Sequence, residues 1–359
     1  AAGTSLVLDG QNLNASSSIS GDHVSLTNCT VAGGYTATGS TTVGGTVFTS
    51  TSTITSIGNS LYVSSGTSDF GRSLGSLALE SVEVQGTANL HDTAITTANF
   101  HMGNGLAHMT FTSGDLTIGG SLNWVGGTMA GSGRTTIQPD AVMNLNNPYS
   151  GTSIAFVLDG RVLDNYGTVN FYCQASGSAK QFGMNNGAVF NNYHRFIDKT
   201  LYTSHVSNGF VAGSGGSGGF HNFGHFVKTT GTSFQVWGGV AFDNTGVVDV
   251  QAGWLGLHGG GTSTGTFTGA AGTSLVLDGQ NLNASSSISG HRVSLYNSTV
   301  AGSYAATGST TVGDTVFTST STINSIGNSL YVSAGTSDFG RSLGSLPLES
   351  VEVQGTANL

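Results

Sequence analysis

Three aspartates occupy the same short sequence, Val-Leu-Asp-Gly: Asp9, Asp159 and Asp278. Such carboxylates could act as the acid and base of a polysaccharide-cleaving enzyme, which needs two of them close together. An aspartate before glycine is first of all a turn residue, and the 18 acidic residues are spread over 359 positions. The sequence therefore predicts turns at these aspartates and no catalysis.

Histidines occur in two close pairs, His101 with His108 and His221 with His225, which raises the question of metal binding. Residues four apart on one strand lie about 13 Å from each other, too far to bind a single ion. The two cysteines are not spaced as a metal or redox motif. We therefore expect surface histidines, no bound metal and no cofactor.

An asparagine recurs in the middle of the chain within one pattern: apolar, any, Asn, any, Gly or His, any, apolar. The four positions are Asn165, Asn192, Asn222 and Asn244, whose numbers differ by 27, 30 and 22 in turn. Asparagine tolerates the left-handed backbone of a sharp corner, and stacked asparagines can pass amide hydrogen bonds along an axis. We predict a structural corner ladder on successive coils. Ligand binding by these residues is the less favoured interpretation.

Four other asparagines match the Asn-X-Ser/Thr acceptor pattern of N-glycosylation. They are Asn14, Asn28, Asn283 and Asn297. The pattern is short enough to arise by chance in a chain rich in Asn, Ser and Thr, so these are candidate sites only.

Aromatic residues crowd into the middle third of the chain. Two interpretations are open: a buried aromatic column, or an exposed strip that binds carbohydrate. The face on which they lie decides between them. The residues concerned are Phe171, Phe190, Phe196, Phe220, Phe226, Phe234, Phe242, Trp237 and Trp254.

The elements that position these residues are short strands. Runs such as SLVLDG, TVFTST and SVEVQG follow one another with Gly, Asn or Ser between them, and no apolar period of 3.6 predicts a helix. The interval between successive Asn motifs is shorter than the about 40 residues of a propeller blade and fits one coil of a β-solenoid. We predict an all-β, parallel β-solenoid.

Residues 1–90 return as residues 270–359 with ten differences, at an offset of 269. The sequence thus predicts 269-residue tandem units. Residues 1–269 form one complete unit, with an aromatic-rich middle at about 150–255, and residues 270–359 begin the next. At about 22 residues per coil and ~4.8 Å per coil, successive copies should be related by a translation of about 60 Å. We expect the chain to be a window on a longer array with open, adhesive ends.

The composition of the chain restricts the classes of partner that it is expected to bind. The formal charge is −9 with only nine Lys and Arg, so a nucleic-acid partner is disfavoured. No stretch approaches the roughly 20 apolar residues of a membrane span. Hydrophobic residues make up 37% of the chain, which favours an ordered protein over a disordered one.

The stretches 240–279 and 121–133, VAFDNTGVVDVQAGWLGLHGGGTSTGTFTGAAGTSLVLDG and SLNWVGGTMAGSG, resemble repetitive bacterial surface proteins of the filamentous-haemagglutinin and autotransporter-passenger type. The resemblance is one of pattern over most of the 269-residue unit and includes no catalytic motif. It implies a right-handed parallel β-helix, export, and a role in adhesion, biofilm or surface filaments. The aromatic- and histidine-rich segment 182–226 departs from it.

We therefore expect an extracellular, cell-surface structural protein without enzymatic activity, whose units stack head to tail as a filament or adhesin stalk. The alternative is a carbohydrate-binding β-helix module on such a stalk, with surface glycans as partners. An ice-binding face would need threonine on every coil, whereas the Thr-rich run at 49–55 is local.

Overall fold

The computed structural model describes residues 3–103, 107–147, 154–173, 181–201, 208–212, 217–231, 233–340, 343 and 347–359. The chain divides into two compact units. Unit 1 comprises Ala1–Pro148 and Ala155–Val169, and unit 2 comprises Tyr149–Ile154 and Asn170–Leu359. Across the described ranges the secondary structure is strand, turn and bend, without a helix.

Nineteen strands come before Val169, the residue at which unit 1 ends. They are β1 (Ser5–Asp9), β2 (Asn12–Leu13), β3 (Ser18–Thr27), β4 (Thr30–Val31), β5 (Gly34–Gly44), β6 (Val47–Phe48), β7 (Thr53–Ile57), β8 (Ser60–Ser65), β9 (Thr67–Asp69), β10 (Ser76–Val84), β11 (Thr87–His91), β12 (Ala94–Met102), β13 (His108–Phe111), β14 (Leu116–Trp124), β15 (Gly127–Ala130), β16 (Arg134–Ile137), β17 (Val142–Asn147), β18 (Ile154–Asp159) and β19 (Val162–Asn165).

Strand β20 (Thr168–Cys173) contains the division between the units. The strands that follow belong to unit 2. They are β21 (Gln181–Asn185), β22 (Val189–Asn192), β23 (Arg195–Asp198), β24 (Asn208–Ala212), β25 (Gly218–Asn222), β26 (His225–Lys228), β27 (Ser233–Val236), β28 (Val240–Asn244), β29 (Val247–Val250), β30 (Trp254–Leu257), β31 (Gly261–Ser263), β32 (Thr266–Gly269), β33 (Ser274–Asp278), β34 (Gln280–Leu282), β35 (Ser287–Tyr296), β36 (Thr299–Val300), β37 (Ser303–Gly313), β38 (Val316–Phe317), β39 (Thr322–Ile326), β40 (Ser329–Val332), β41 (Thr336–Asp338), β42 (Ser350–Val353) and β43 (Thr356–Asn358).

The strands pair in parallel with strands of the neighbouring coil. In unit 1, Leu26 of β3 pairs with Leu8 of β1 and with Val43 of β5. In unit 2, Phe220 of β25 pairs with Phe190 of β22 in the coil before and with Phe242 of β28 in the coil after. Each unit is thus a parallel β-solenoid, which confirms the predicted class. The right-handed sense and the 269-residue tandem unit stay predictions.

Residues with positive φ end many of the strands. Gly10 and Gly279, the glycines of two Val-Leu-Asp-Gly sequences, have φ of +64° and +72°, a region that glycine enters without steric cost. Asn28 and Asn297 follow β3 and β35 with φ of 51° and 48°. The chain therefore bends where the sequence supplies the residues that tolerate bending.

Phenylalanines fill the interior of unit 2. Phe190 and Phe220 stack with ring centroids 5.0 Å apart, and Phe220 and Phe242 stack at 5.2 Å. Phe196 and Phe226 form a second stack at 5.0 Å. Because parallel in-register strands lie about 4.8 Å apart, identical inward side chains on successive coils fall into ring-on-ring contact.

The repeated segments fold locally in the same way, each within its own unit. Strands β3 and β5 have counterparts β35 and β37 at the offset of 269. The buried hydroxyl of Tyr35 is 2.7 Å from Thr41 Oγ1, and that of Tyr304 is 2.7 Å from Thr310 Oγ1. This buried hydrogen bond is therefore the same in both copies.

Candidate functional site

Three of the four motif asparagines form a ladder at one corner of unit 2. Asn192, Asn222 and Asn244 end β22, β25 and β28, pair in register, and are at most 1% exposed. Nδ2 of Asn192 donates to Oδ1 of Asn222 at 2.8 Å, and Nδ2 of Asn222 donates to Oδ1 of Asn244 at 2.8 Å. The structure thus links these side chains from coil to coil.

Each of the first two ladder amides also ties the corner to the backbone of the following coil. Nδ2 of Asn192 donates to the carbonyl of His225 at 3.1 Å, and Nδ2 of Asn222 donates to that of Val247 at 3.0 Å. In the next coil Ser263 takes the register position of Asn244, and its hydroxyl donates to the Asn244 carbonyl at 2.9 Å. The amide ladder gives way to a hydroxyl there.

Steric crowding explains why the motif has glycine two residues after Asn244. A Cβ on Gly246 would lie 2.1 Å from the carbonyl oxygen of Gly224 in the preceding coil. Consecutive corners therefore approach more closely than a side chain allows. Asn165 ends β19 in unit 1, where it is buried and its Oδ1 accepts a hydrogen bond from the Gly167 amide at 3.1 Å.

The residue after each motif asparagine faces solvent. Tyr193 and Phe223 are 38% and 45% exposed, and their rings stack at 4.8 Å with an interplanar angle of 8°. Thr245 follows Asn244 and is also exposed. In unit 1, Tyr166 follows Asn165 and is 41% exposed. The corner thus points the asparagine amides inward and the side chains that follow them outward.

The aromatic residues of the middle third lie mostly inside. All seven phenylalanines named in the sequence analysis have 0% exposure, which supports the interpretation as an interior column. The two tryptophans are half-buried, and both rings lie 5.9 Å from the ring of His258. The exposed aromatic pair in this region is instead Tyr193 and Phe223, which the sequence analysis did not single out.

A shallow groove of about 350 Å³ begins at His194, the residue that follows Tyr193 in the chain. It is lined by His194, Arg195, His225, Val227, Asp249 and Gln251. The Asp249 carboxylate is held on both oxygens, by Thr268 Oγ1 at 2.9 Å and by Gln251 Nε2 at 2.8 Å. The groove lining holds one carboxylate rather than the pair that acid–base cleavage of a glycoside needs.

The three Val-Leu-Asp-Gly aspartates each end a strand: β1, β18 and β33. Asp9 and Asp278 accept hydrogen bonds from the side-chain amides of Asn28 and Asn297, at 3.5 and 2.8 Å. These two carboxylates therefore lie at turns and bind neighbouring coils, in keeping with their sequence context.

The histidines of the second pair lie on separate strands. His221 belongs to β25 and His225 to β26, and Nδ1 of His221 is 3.0 Å from Oδ2 of Asp243. Among the described residues no group of three or more His, Cys, Asp or Glu side chains could hold a metal ion. The Cys29 thiol is free and buried, and the side chain of Cys173 lies outside the described part of the chain.

Two buried cations were not predicted from the sequence. The first is Lys228, which forms a fully buried ion pair with Asp198 in unit 2, with Nζ 3.0 Å from Oδ2. The Asp198 carboxylate also accepts hydrogen bonds from the amide and hydroxyl of Thr200, at 3.1 and 2.5 Å. Asp198 and Lys228 end the paired strands β23 and β26 in register. They lie equally far along the chain from Asn192 and Asn222, and this shared spacing is the sequence signal from which the pair could have been predicted.

The second is Arg161 in unit 1, which is fully buried and lies 4.4 Å from the centroid of the Phe111 ring. Its guanidinium donates to Thr135 Oγ1 at 2.7 Å and to the carbonyls of Gly114 and Arg134 at 2.9 and 2.8 Å. Desolvation by burial lowers the pKa of Arg161 to about 10, although the negative charge of Asp115 acts to raise it. The side chain stays a cation that ties coils together from the inside.

No known protein family, curated protein or solved structure matches the chain. Within the described residues, no helix is both long and apolar enough to cross a membrane. The adhesin-type role that the resemblance implies therefore stays a prediction.

Proposed function

We propose that this is an extracellular structural protein without enzymatic activity, built from β-solenoid units that stack end to end as a filament or adhesin stalk. One comparison carries the proposal. Val7 of β1 is 70% exposed, whereas Val276, the same residue of the repeat, is 9% exposed where β33 pairs with β30. Identical residues are therefore buried when another coil covers them.

Strand β42 gives the same comparison. Its Val351 and Val353 are 54% and 49% exposed. Their counterparts Val82 and Val84 are 1% and 0% exposed, where β10 pairs with β12. Burying a valine side chain contributes about 1.5–3 kcal/mol, and an uncovered strand edge offers unpaired backbone groups. Strands β1 and β42 therefore offer apolar side chains and backbone groups that a coil of a second copy would bury.

The proposed mechanism is mechanical. Parallel backbone pairing, the phenylalanine stacks and the asparagine ladder all act between successive coils, so added coils extend the same contacts. A heterologous contact that does not close on itself generates a fibre. In the proposed assembly, the covering coil belongs to a second copy placed head to tail.

The test is assembly of the purified chain, followed by sedimentation and electron microscopy. We expect filaments with a subunit repeat of about 80 Å along the axis, because the 359 residues of one chain make about 16 coils that are ~4.8 Å apart. Val7→Lys and Val351→Lys place a charge on the two exposed strands and should block assembly. Thr245→Lys, at an exposed corner, is the matched control and should assemble normally. A wild-type chain that stays monomeric at high concentration would contradict the proposal.

One observation favours the alternative of carbohydrate binding, namely the exposed stack of Tyr193 and Phe223, whose near neighbours in the chain, His194 and His225, line a groove together with Arg195. Aromatic faces and hydrogen-bonding groups together are typical of ligand sites. Glycan binding that is lost in Phe223→Ala, while assembly is unchanged, would support this second function.

A further inference from the structure

The four Asn-X-Ser/Thr sequences fall into two structural classes, each represented in both copies of the repeat. All four asparagines are exposed. Asn14 and Asn283 lie in turns after β2 and β34, whereas Asn28 and Asn297 occupy left-handed corners after β3 and β35. Solvent exposure alone therefore does not separate them, but the hydrogen bonding of their amides does.

In the corner class the amide nitrogen faces the preceding coil. Nδ2 of Asn297 donates to Oδ1 of Asp278 at 2.8 Å, and Nδ2 of Asn28 donates to Oδ1 of Asp9 at 3.5 Å. The next coil also closes in, since a Cβ at Gly45 would lie 3.0 Å from Oδ1 of Asn28. These side chains are held between coils, with the nitrogen directed at a carboxylate.

In the turn class the side-chain nitrogen is open. Oδ1 of Asn14 accepts hydrogen bonds from the amide and hydroxyl of Ser16, at 3.1 and 2.7 Å, and from the hydroxyl of Ser17 at 3.2 Å. The backbone of Asn283 makes the same turn as that of Asn14: their backbone carbonyls accept from the amides of Ser286 and Ser17, at 2.9 and 3.0 Å. Within the described residues, nothing accepts a hydrogen bond from Nδ2 of Asn14 or Asn283.

We propose that Asn14 and Asn283 are N-glycosylation sites and that Asn28 and Asn297 are not, although all four carry the acceptor sequence. The inference rests on the proposed function only in that export brings the chain to a glycosyl donor. In the reaction Nδ2 attacks C1 of a sugar carried on a lipid diphosphate. The N–C1 bond forms, the C1–O bond to the diphosphate breaks, the diphosphate leaves with the electron pair, and Nδ2 loses one proton.

The geometry also explains why the turn class is favoured within the fold. The attacking nitrogen must meet a bulky donor from solvent, which the turn class permits without breaking a contact. At Asn297 the charge-assisted hydrogen bond to Asp278 has to break first. The two turn sites are equivalent positions of the repeat, so a tandem array would carry one glycan per period at this turn.

The experiment treats the folded full-length chain with a purified oligosaccharyltransferase and a lipid-diphosphate-linked oligosaccharide. Site-resolved mass spectrometry then measures occupancy at each sequence. We expect Asn14 and Asn283 to be modified about tenfold faster than Asn28 and Asn297, the factor for about one net hydrogen bond. The double variant Asn14→Gln, Asn283→Gln should lose nearly all modification.

Synthetic peptides that span the four sequences provide the unfolded reference, and we expect all four to be modified. Three results would overturn the proposal: modification of Asn28 or Asn297 in the folded chain at the rate of the other two, no modification of the folded chain, or the same selectivity in the peptides. Sedimentation of the unmodified sample reports assembly independently, so failure here is distinct from failure of the filament proposal.

Discussion

Replacing Asn222 with alanine removes the middle rung of the asparagine ladder and tests the corner most directly. The side chain accepts from Asn192 at 2.8 Å and donates to Asn244 Oδ1 at 2.8 Å and to the Val247 carbonyl at 3.0 Å. A net hydrogen bond contributes about 1 kcal/mol, and a buried group left unpaired costs about 1–3 kcal/mol. We expect Asn222→Ala to lower the free energy of unfolding by about 3–5 kcal/mol.

Asn222→Asp keeps the shape and removes the donor. At neutral pH its carboxylate would face the Asn244 oxygen and the Val247 carbonyl, so the loss should equal or exceed that of the alanine variant. Burial raises the pKa of such a carboxyl above its unfolded value of about 3.9. Protonation restores an O–H donor, so stability should recover as pH falls through the folded pKa, whereas Asn222→Ala shows no such recovery.

The assay is urea unfolding followed by circular dichroism, at pH 7 and at pH 4. Thr245→Ala, at the exposed side of the next corner, is the control and should change the unfolding free energy by less than about 0.5 kcal/mol. A loss below about 1 kcal/mol for Asn222→Ala, or an aspartate variant whose deficit does not depend on pH, would refute the assignment of the ladder as a stabilising element.

Three further predictions concern buried groups. Lys228→Met leaves Asp198 buried without its cation and should cost about 3–5 kcal/mol in urea unfolding, while pairing it with Asp198→Leu should recover most of that loss. Burial raises the pKa of Tyr35 to about 12. The neutral buried phenol therefore contributes its full stabilisation below pH ~10, and this stabilisation is lost as pH rises towards 12. Tyr35→Phe should flatten that alkaline decline in the free energy of unfolding. Gly246→Ala forces a Cβ against the Gly224 carbonyl and should destabilise by about 1–3 kcal/mol, with no change in secondary structure by circular dichroism at low temperature.

The sequence predicted the solenoid because the same pattern of residue types recurs from coil to coil. The Asn motif marks the same corner on three successive coils of unit 2, and inward phenylalanines two positions before Asn192, Asn222 and Asn244 mark the same interior position. Local alternation and turn chemistry sufficed for both, since in-register parallel pairing brings like residues together. Handedness has no comparable signal in the order of residues.

What the sequence could not show depends on register between distant residues. Lys228 and Asp198 lie on different coils and look like two isolated surface charges until the offset between those coils is known. Tyr193 and Phe223 lie within an aromatic-rich stretch, and only the corner geometry turns them outward. The coils also differ in length, since the interval that ends at Asn222 is longer than the one that begins there. A fixed period would therefore not have paired these side chains, whereas alignment of the coils on the Asn motif would have done so.

The asparagine ladder is directional. Nδ2 of each donating asparagine points to the oxygen of the asparagine in the following coil, so the amide dipoles point the same way along chain order. Two units that met with opposite orientation would set donor against donor or acceptor against acceptor, whereas head-to-tail neighbours keep one orientation. A fibre made from such units would have two chemically different tips, and subunits would join the two at different rates.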